Sequence, residues 1–305
     1  MKEKNIGSKA KAHHYLSQCY LKGFSDLENK FLIPIDLQSR RVLPASNSRN
    51  LAQETYFNRV DIDGLPPNYV EDFLAIELEG KVATAIRNIE NSFKFEGEDR
   101  EVILNLMTLF AIRNPIRRKQ QNHMVNHMSK MVLSIAAQNV GGISNGVKIT
   151  PDIKRLIDEG AYKIELTRNE HIRSEMMLFN ELLPCFFDRK WILIQASDNT
   201  QFVTSDFPVI LIWKEPHKHN LSPGFGLRGT QVHFPLSKKI ALIGDFDGVE
   251  GSLIEPKEIV ALINSNILAH AQRWVFTANQ DFYFLNQSGE CLFGIEKYWK
   301  FLNRF

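Results

Sequence analysis

The feature that most restricts the fold is a change of hydrophobic period along the chain. Residues 68–183 repeat their apolar positions at helical spacing, whereas the flanking segments carry the short apolar runs of strands. Strands followed by helices and again by strands favour an α+β fold over regularly alternating βαβ units. Since no linker-like segment divides the chain, we expect residues 1–305 to form one domain.

The N-terminal part, residues 13–67, is predicted to contain a helix and a β-hairpin after a mobile basic lead-in at residues 1–12. Apolar positions in HHYLSQCYLKGF follow helical spacing, and two short apolar runs are separated by the polar pair Gln38-Ser39. The predicted elements are a helix over 13–24, hairpin strands over 31–37 and 40–44, and an extended piece over 54–57.

Long helices are predicted for the middle of the chain. Pro115 interrupts the longest stretch, and a proline predicts a break in the helix just before it. Met124, Met128 and Met131 recur on one helical face, and we expect them to fill the core. The predicted helices cover residues 68–91, 98–138, 151–160 and 165–182.

The C-terminal part, residues 184–305, is predicted to be a mostly antiparallel sheet with one helix. Its apolar runs are separated by turn-forming clusters such as Ser197–Thr200 and Asp245–Gly248. The predicted strands are 191–196, 201–205, 209–213, 230–236, 239–245, 274–278 and 282–285, and the helix covers 255–272.

Composition excludes several classes of protein. The 305 residues carry 37 Lys and Arg against 35 Asp and Glu, so the net charge of +2 indicates neither a nucleic-acid nor a membrane partner. Three cysteines are too few and too widely spaced for a disulfide scaffold or a CxxC metal site. The sequence shows no signal peptide and no apolar run of membrane-spanning length, which predicts a cytoplasmic protein without a membrane partner. Phosphate-binding P-loop, nucleophile-elbow and dinucleotide-binding motifs are also absent from the sequence.

Several segments resemble the bacterial domain-of-unknown-function 4238 family. They are HHYLSQCYLKGFS (13–25), ETYF (54–57), the next helix with Glu71 and Glu77, LFAIRNPIRR (109–118), FVTSDFPVIL (202–211), VHFPLS (232–237) and LINSNILAHAQRWVF (262–276). Phe207 stands where that family more often has Asn. The resemblance implies a stand-alone unit in a bacterial cytosol and assigns no chemistry.

Two adjacent histidines open the first of these segments. On a helix, adjacent side chains point about 100° apart, so His13 and His14 are not expected to serve one centre. His13 shares the face of Leu16 and Tyr20, whereas His14 lies on the flank and is the candidate general acid or base. The alternative is that both histidines cap the helix or lie at the edge of the core.

Three acidic residues in or near the resembling segments, Glu54, Glu71 and Glu77, are candidates for chemistry. Glu77 lies on the apolar face of its predicted helix, where a carboxylate must be paired, protonated or metal-bound. A simple ion pair with Lys81, four residues later, is the structural alternative. Asp206, at the end of a predicted strand, either reaches a site at a sheet edge or stabilises a local turn.

A local cluster of cations is the one sign of a polyanionic ligand. Arg113 and Arg117 are one helical turn apart and could hold a phosphate together. A solvated helix face paired with nearby acids is the alternative. His123 and His127 have the spacing of a helical metal pair but lack the rest of such a motif, so we expect them at the edge of the core.

Together these residues suggest a nucleic-acid-directed hydrolase that cleaves phosphodiesters with metal assistance, as in a toxin or phage-defence effector. Glu54, Glu77 and Asp206 would hold a divalent ion or position water, and RNA or DNA would be the partner. His14 would be the general acid or base, while Arg113 and Arg117 would bind phosphate. The alternative is a non-catalytic binding or scaffold module whose polar groups form a structural network.

Overall fold

The fold combines helices and sheets, in agreement with the predicted α+β class. A computed structural model describes residues 11–26, 28, 30–74, 78–138, 143–144, 147–148, 150–160, 162–197 and 199–302. The helices are α1 (Gln18–Lys22), α2 (Tyr69–Leu74), α3 (Gly80–Ser92), α4 (Gly97–Ile112), α5 (Pro115–Ala136), α6 (Pro151–Glu159), α7 (Arg168–Phe187), α8 (Lys257–His270) and α9 (Ile295–Leu302).

The strands lie mainly in the N-terminal and C-terminal parts of the chain. They are β1 (Ala12–His14), β2 (Phe31–Asp36), β3 (Arg41–Val42), β4 (Ser46–Asn47), β5 (Gln53–Thr55), β6 (Ile143–Ser144), β7 (Val147–Lys148), β8 (Lys190–Ala196), β9 (Thr204–Ser205), β10 (Ile210–Trp213), β11 (Thr230–Pro235), β12 (Ile240–Asp245), β13 (Gly251–Glu255), β14 (Trp274–Thr277), β15 (Tyr283–Leu285) and β16 (Cys291–Phe293).

One five-stranded sheet is formed by the C-terminal part alone, in the order β10-β11-β12-β8-β13. Its pairs are antiparallel, as predicted, except that β13 runs parallel to β8. The inward side chains of β8, β11 and β12 pack against α3 and α4 in the larger hydrophobic core. This core therefore joins the predicted helical middle of the chain to the predicted C-terminal sheet.

A second sheet combines strands from both ends of the chain, in the order β3-β2-β14-β9. The predicted hairpin is present, with Ile35 of β2 opposite Val42 of β3. On its other side β2 pairs with β14, and β14 pairs with β9. This sheet, α8 and α9 enclose a smaller hydrophobic cluster that includes Ile35, Val203 and Phe284.

The break predicted at Pro115 is a sharp corner between α4 and α5. Asn114 caps α5, because its side-chain oxygen accepts a hydrogen bond from the backbone N–H of Ile116 at 2.9 Å. Pro115 occupies the first position of α5, where its missing N–H costs nothing. The corner places the cations that follow it beside the N-terminal segments.

Two sequence-based expectations about helices are wrong. Residues 13 and 14 belong to strand β1, and the short helix α1 begins only at Gln18, because β1 pairs with β5 across the chain. The methionines of α5 do not fill the core: Met124, Met128 and Met131 are exposed.

The histidines of α5 also differ from expectation, since His123 and His127 are exposed and do not lie at the edge of the core. The helix predicted over 68–91 is present as α2 and α3. Glu77 falls between them and lies outside the described residues. Within the part of the chain that the structure describes, no helix is long and apolar enough to span a bilayer.

Candidate functional site

Segments distant in sequence meet beside the α4–α5 corner. Strand β1 and the turn after β5 approach from the N-terminal part, and the end of β9 approaches from the C-terminal part. Asn114 donates a 2.5 Å hydrogen bond from Nδ2 to the carbonyl oxygen of Asp206, and the guanidinium of Arg117 lies 5.3 Å from the centre of the Phe207 ring. Parts of the resembling segments 13–25, 54–57, 109–118 and 202–211 therefore share one neighbourhood.

Asn58 is the centre of the polar contacts in this neighbourhood. Its backbone N–H donates to Nδ1 of His13 at 2.9 Å, and its side-chain nitrogen donates to the carboxylate of Glu71. Its side-chain oxygen accepts a 2.6 Å hydrogen bond from Nη2 of Arg113. We call His13, Asn58, Glu71 and Arg113 the Asn58 cluster.

Arg113 is a partly buried cation with few partners among the described residues. Burial lowers the pKa of Arg113 to about 10, although Glu175 and Glu71 oppose this effect, so the side chain stays charged at neutral pH. Its Nε is buried and has no hydrogen-bond partner among the described residues. The hydrogen bond to Asn58 is the one found for its guanidinium within the same residues.

Arg189 shows how a structural buried arginine differs from Arg113 in this chain. Its Nε is likewise unpaired, yet its two terminal nitrogens donate to the carbonyl oxygens of Thr230, Gly244 and Phe225 and to the Thr230 hydroxyl. The desolvation of Arg189 is thus offset by several acceptors. The guanidinium of Arg113 has fewer, which leaves it able to bind an anion.

A second arginine borders the Asn58 cluster and is fully paired. Arg118 donates from Nε and Nη2 to the two carboxylate oxygens of Glu175 at 2.6 and 2.8 Å, and from Nη1 to the carbonyl oxygen of Phe57. Its guanidinium also stacks 3.7 Å from the centre of the Phe57 ring. This two-bond clamp fixes α5 against α7 and holds the turn that carries Asn58.

The environment of His13 fixes its role as a hydrogen-bond donor. The ring is completely buried, and Nδ1 accepts the backbone N–H of Asn58. A neutral ring in this position carries its proton on Nε2, because protonation of Nδ1 would break that hydrogen bond. This hydrogen bond fixes the orientation of the ring against the turn that carries Asn58.

His14, the candidate acid or base, points away from the Asn58 cluster. Successive side chains of a strand lie on opposite faces, so His13 faces Asn58 and His14 faces the other side of β1. The Nε2 of His14 lies 3.1 Å from the carbonyl oxygen of Arg49 and donates to it. Only the backbone carbonyl of His14 reaches the cluster, as a 3.5 Å acceptor from Asn58.

The candidate metal ligands do not converge among the described residues. Glu54 is opposite His13 in the β1–β5 register, but its side chain is exposed. Asp206 is buried, and its carboxylate oxygens accept hydrogen bonds from the backbone N–H groups of residues 272, 273 and 274. Burial raises the pKa of Asp206, and these three donors oppose the rise. No group of three His, Cys, Asp or Glu suited to a metal ion is found in the described residues.

A comparison with known families decides the relationship of the chain. The family described as a protein of unknown function, DUF4238, matches residues 12–281. The chain belongs to this family. No curated protein and no solved structure matches it.

In this member of the DUF4238 family, sequence reasoning found part of the site. Arg113 was identified because it belongs to a local run of cations, and Glu71 because it lies in a resembling segment. Asn58 and Glu175 were missed, since an isolated Asn in a turn and a Glu within a charged helix carry no distinctive local pattern. The signal that could have found Asn58 is its position directly after the resembling segment at 54–57.

Proposed function

We propose that this protein binds a phosphodiester at the Asn58 cluster and hydrolyses it, with RNA or DNA as the class of substrate. The observation that carries the proposal is the small number of hydrogen-bond partners that the Arg113 guanidinium has among the described residues. Among the described residues, Nε of Arg113 is buried without a hydrogen-bond partner, which is costly unless an anion joins the guanidinium, and phosphate oxygens match its planar donors. Arg117, one turn further along α5, supplies a second cation on the exposed side of the corner.

The chemistry divides between Glu71 and the donors around it. Glu71 takes a proton from a water molecule, whose oxygen forms a bond to phosphorus while the bond from phosphorus to the leaving oxygen breaks. Glu71 then returns the proton to that leaving oxygen, so the reaction consumes one water molecule and needs no other reactant. Arg113 stabilises the negative charge that develops on the phosphate oxygens.

A metal-assisted version of the proposal keeps Glu54, Glu77 and Asp206 as ligands of a divalent ion. It has less support, because the oxygens of Asp206 already accept three backbone hydrogen bonds. His14 as general acid or base also has less support, since its side chain lies on the opposite face of β1 from Asn58. A role as a toxin or phage-defence effector is part of the same proposal.

A non-catalytic scaffold is the second candidate, and two observations favour it. The Arg118–Glu175 pair and the Asp206 carboxylate satisfy their hydrogen bonds within the protein. The depression lined by Lys239 and Asn279 does not include the Asn58 cluster. On this view the Asn58 cluster only attaches strands β1 and β5 to helices α2 and α4.

Nuclease assays on the purified full chain separate the two candidates. The parent is incubated with labelled RNA, single-stranded DNA and duplex DNA, once with EDTA and once with Mg²⁺ or Mn²⁺. We expect cleavage of at least one substrate, and a loss of about 10²- to 10⁴-fold in rate for Glu71→Gln. The control Glu165→Gln, which changes an exposed carboxylate paired with Lys163, should cleave at the parental rate.

Two further readouts decide between mechanisms. Arg113→Lys keeps the charge but not the planar donors that stabilise the developing negative charge, so it should lower kcat and kcat/KM together. Cleavage that requires Mg²⁺ or Mn²⁺ and survives Glu71→Gln would favour the metal-assisted version. A folded parent that cleaves none of the three nucleic acids under either condition would contradict hydrolysis and favour the scaffold.

A further inference from the structure

One face of helix α5 forms hydrogen bonds with other segments of the chain. Asn122 and Asn126 accept hydrogen bonds at 3.0 Å from the backbone N–H groups of Leu166 and Ile164, so their side chains fix the extended segment before α7. Lys130 donates from Nζ to the carbonyl oxygen of Gly160. Asn122, Asn126 and Lys130 therefore face other segments of the chain, whereas His123 and His127 are exposed.

The opposite face of α5 is apolar and uncovered. Its residues Met124, Met128, Met131, Val132 and Ile135 are each between 55% and 62% exposed. Core-facing residues of other helices in this chain, such as those of α4, are buried completely. An exposed stripe of five large apolar side chains on a single helix marks an interaction surface.

The spacing of the stripe identifies the kind of partner. Met124, Met128, Met131 and Ile135 follow one another at intervals of four, three and four residues, the alternating spacing of the apolar positions at which two helices interlock. A stripe with this spacing can interlock with another helix of the same spacing. The stripe spans about 17 Å, so the contact is smaller than a standard interface of ~800 Å² per partner and is dissociable.

The charge on this face fits a second copy of the same chain. Between residues 120 and 136, Lys130 is the one Lys, Arg, Asp or Glu in the sequence, and its ammonium group faces inward. Two identical stripes therefore meet without like charges. Arg117 and Lys119 are exposed at the start of α5, and a parallel pair would place them beside their own copies.

We propose that two copies of the chain associate through the exposed stripe of α5, packed antiparallel. In this arrangement Met128 packs against Met131 of the second copy, and Met124 packs against Ile135 of the second copy. The antiparallel direction separates the two sets of Arg117 and Lys119 by the length of the contact.

Sedimentation equilibrium of the full chain over a range of concentrations tests the association. The parent should show a mass rising from one chain to two, and Met128→Glu should weaken the dimer by about 100-fold or more, because it buries a carboxylate in the seam. Leu221→Glu, at a position that is 81% exposed elsewhere, should dimerise as the parent does. The parent and the two variants should unfold at similar temperatures, since Met128 and Leu221 are both exposed in the single chain.

A parent that stays monomeric at every concentration overturns the proposal, and so does a Met128→Glu variant that dimerises normally. Cysteine cross-linking tests the direction. The double variant Met124→Cys/Ile135→Cys should form a covalent dimer on oxidation, whereas Met124→Cys alone and the parent, which contains Cys19, Cys185 and Cys291, should not. Efficient cross-linking of Met124→Cys alone would overturn the antiparallel arrangement.

Discussion

At the scale of single residues, the Arg118–Glu175 pair is the contact whose loss should cost most. The two side chains are only 11% and 7% exposed, and Arg118 holds both carboxylate oxygens. Glu175→Gln leaves the buried guanidinium without its counter-charge and should lower the free energy of unfolding by about 3–5 kcal/mol. Urea unfolding measures the change, and the exposed Arg59–Asp61 pair serves as control. Asp61→Asn should cost under about 1 kcal/mol, and an equal cost in both variants would contradict the assignment.

His233 should make the stability of the protein depend on pH. Burial lowers the pKa of this completely buried histidine to about 4, against 6.5 for an ordinary histidine, and the nearby His270 adds to the effect. As the pH falls, the unfolded chain takes up a proton first. The stability that neutral His233 contributes is therefore present above pH 6.5 and is lost between pH 6.5 and pH 4.

The change is measurable by comparing the parent with His233→Gln. Between pH 7 and pH 5 the parent should lose about 2 kcal/mol more than the variant, because the imidazole of His233, which resists protonation, is present only in the parent. Urea unfolding at the two pH values gives both losses. Equal losses would mean that protonation of His233 is not coupled to unfolding.

At the scale of elements, the α4–α5 corner depends on Asn114. Its side chain accepts from the N–H of Ile116 and donates to the carbonyl oxygen of Asp206, so one residue both caps α5 and joins it to β9. Asn114→Ala should lower the free energy of unfolding by about 2–3 kcal/mol, because α5 loses its cap and the buried carbonyl of Asp206 loses its hydrogen-bond donor. Asn114→Asp keeps the cap but places a buried carboxylate oxygen against the carbonyl oxygen of Asp206, so it should cost at least as much as Asn114→Ala. Thr150→Ala, at the exposed cap of α6, should cost only about 0.5–1 kcal/mol in the same thermal or urea titration.

The elements that could be predicted from the sequence are those with local signals. Pro115 and its preceding Asn determine the corner, and the hairpin before residue 44 follows from its alternation and polar turn. The prediction of a helix was wrong at His13 and His14, because pairing with β5, forty residues later, overrides a local 3.6-residue period. The same limit applies to the Met face of α5, since periodicity identifies an apolar face but not what covers it.

The candidate site was only partly predictable for the same reason. Arg113 could be chosen from the sequence, but its partners at 58, 71 and 175 come from a turn and two other helices. Whether His13 or His14 faces Arg113 depends on strand or helix geometry at one position. A helix places the two side chains about 100° apart, whereas the strand places them on opposite faces. In the proposed mechanism the acid and base is therefore Glu71 and not His14.

At the scale of the whole molecule, the second sheet connects the two ends of the described chain. Strand β2 lies between β3 and β14, and the smaller hydrophobic cluster contains residues from β2, β9, α8 and α9. The larger cluster joins α3 and α4 to the C-terminal strands. If residues 1–305 form one domain as predicted, these two clusters unfold together, although most of their contacts link distant parts of the sequence.

Ile35 provides a test of that cooperativity. It is completely buried in the smaller cluster, and Ile35→Ala should lower the free energy of unfolding by about 2–5 kcal/mol. Far-ultraviolet circular dichroism follows mainly the helices, and tryptophan fluorescence includes Trp191 in the larger cluster. Both midpoints should shift by the same amount in urea, while Leu221→Ala, at an exposed position, should shift neither. A variant in which only one probe shifts would show that the two clusters unfold independently, and the single-domain prediction would be wrong.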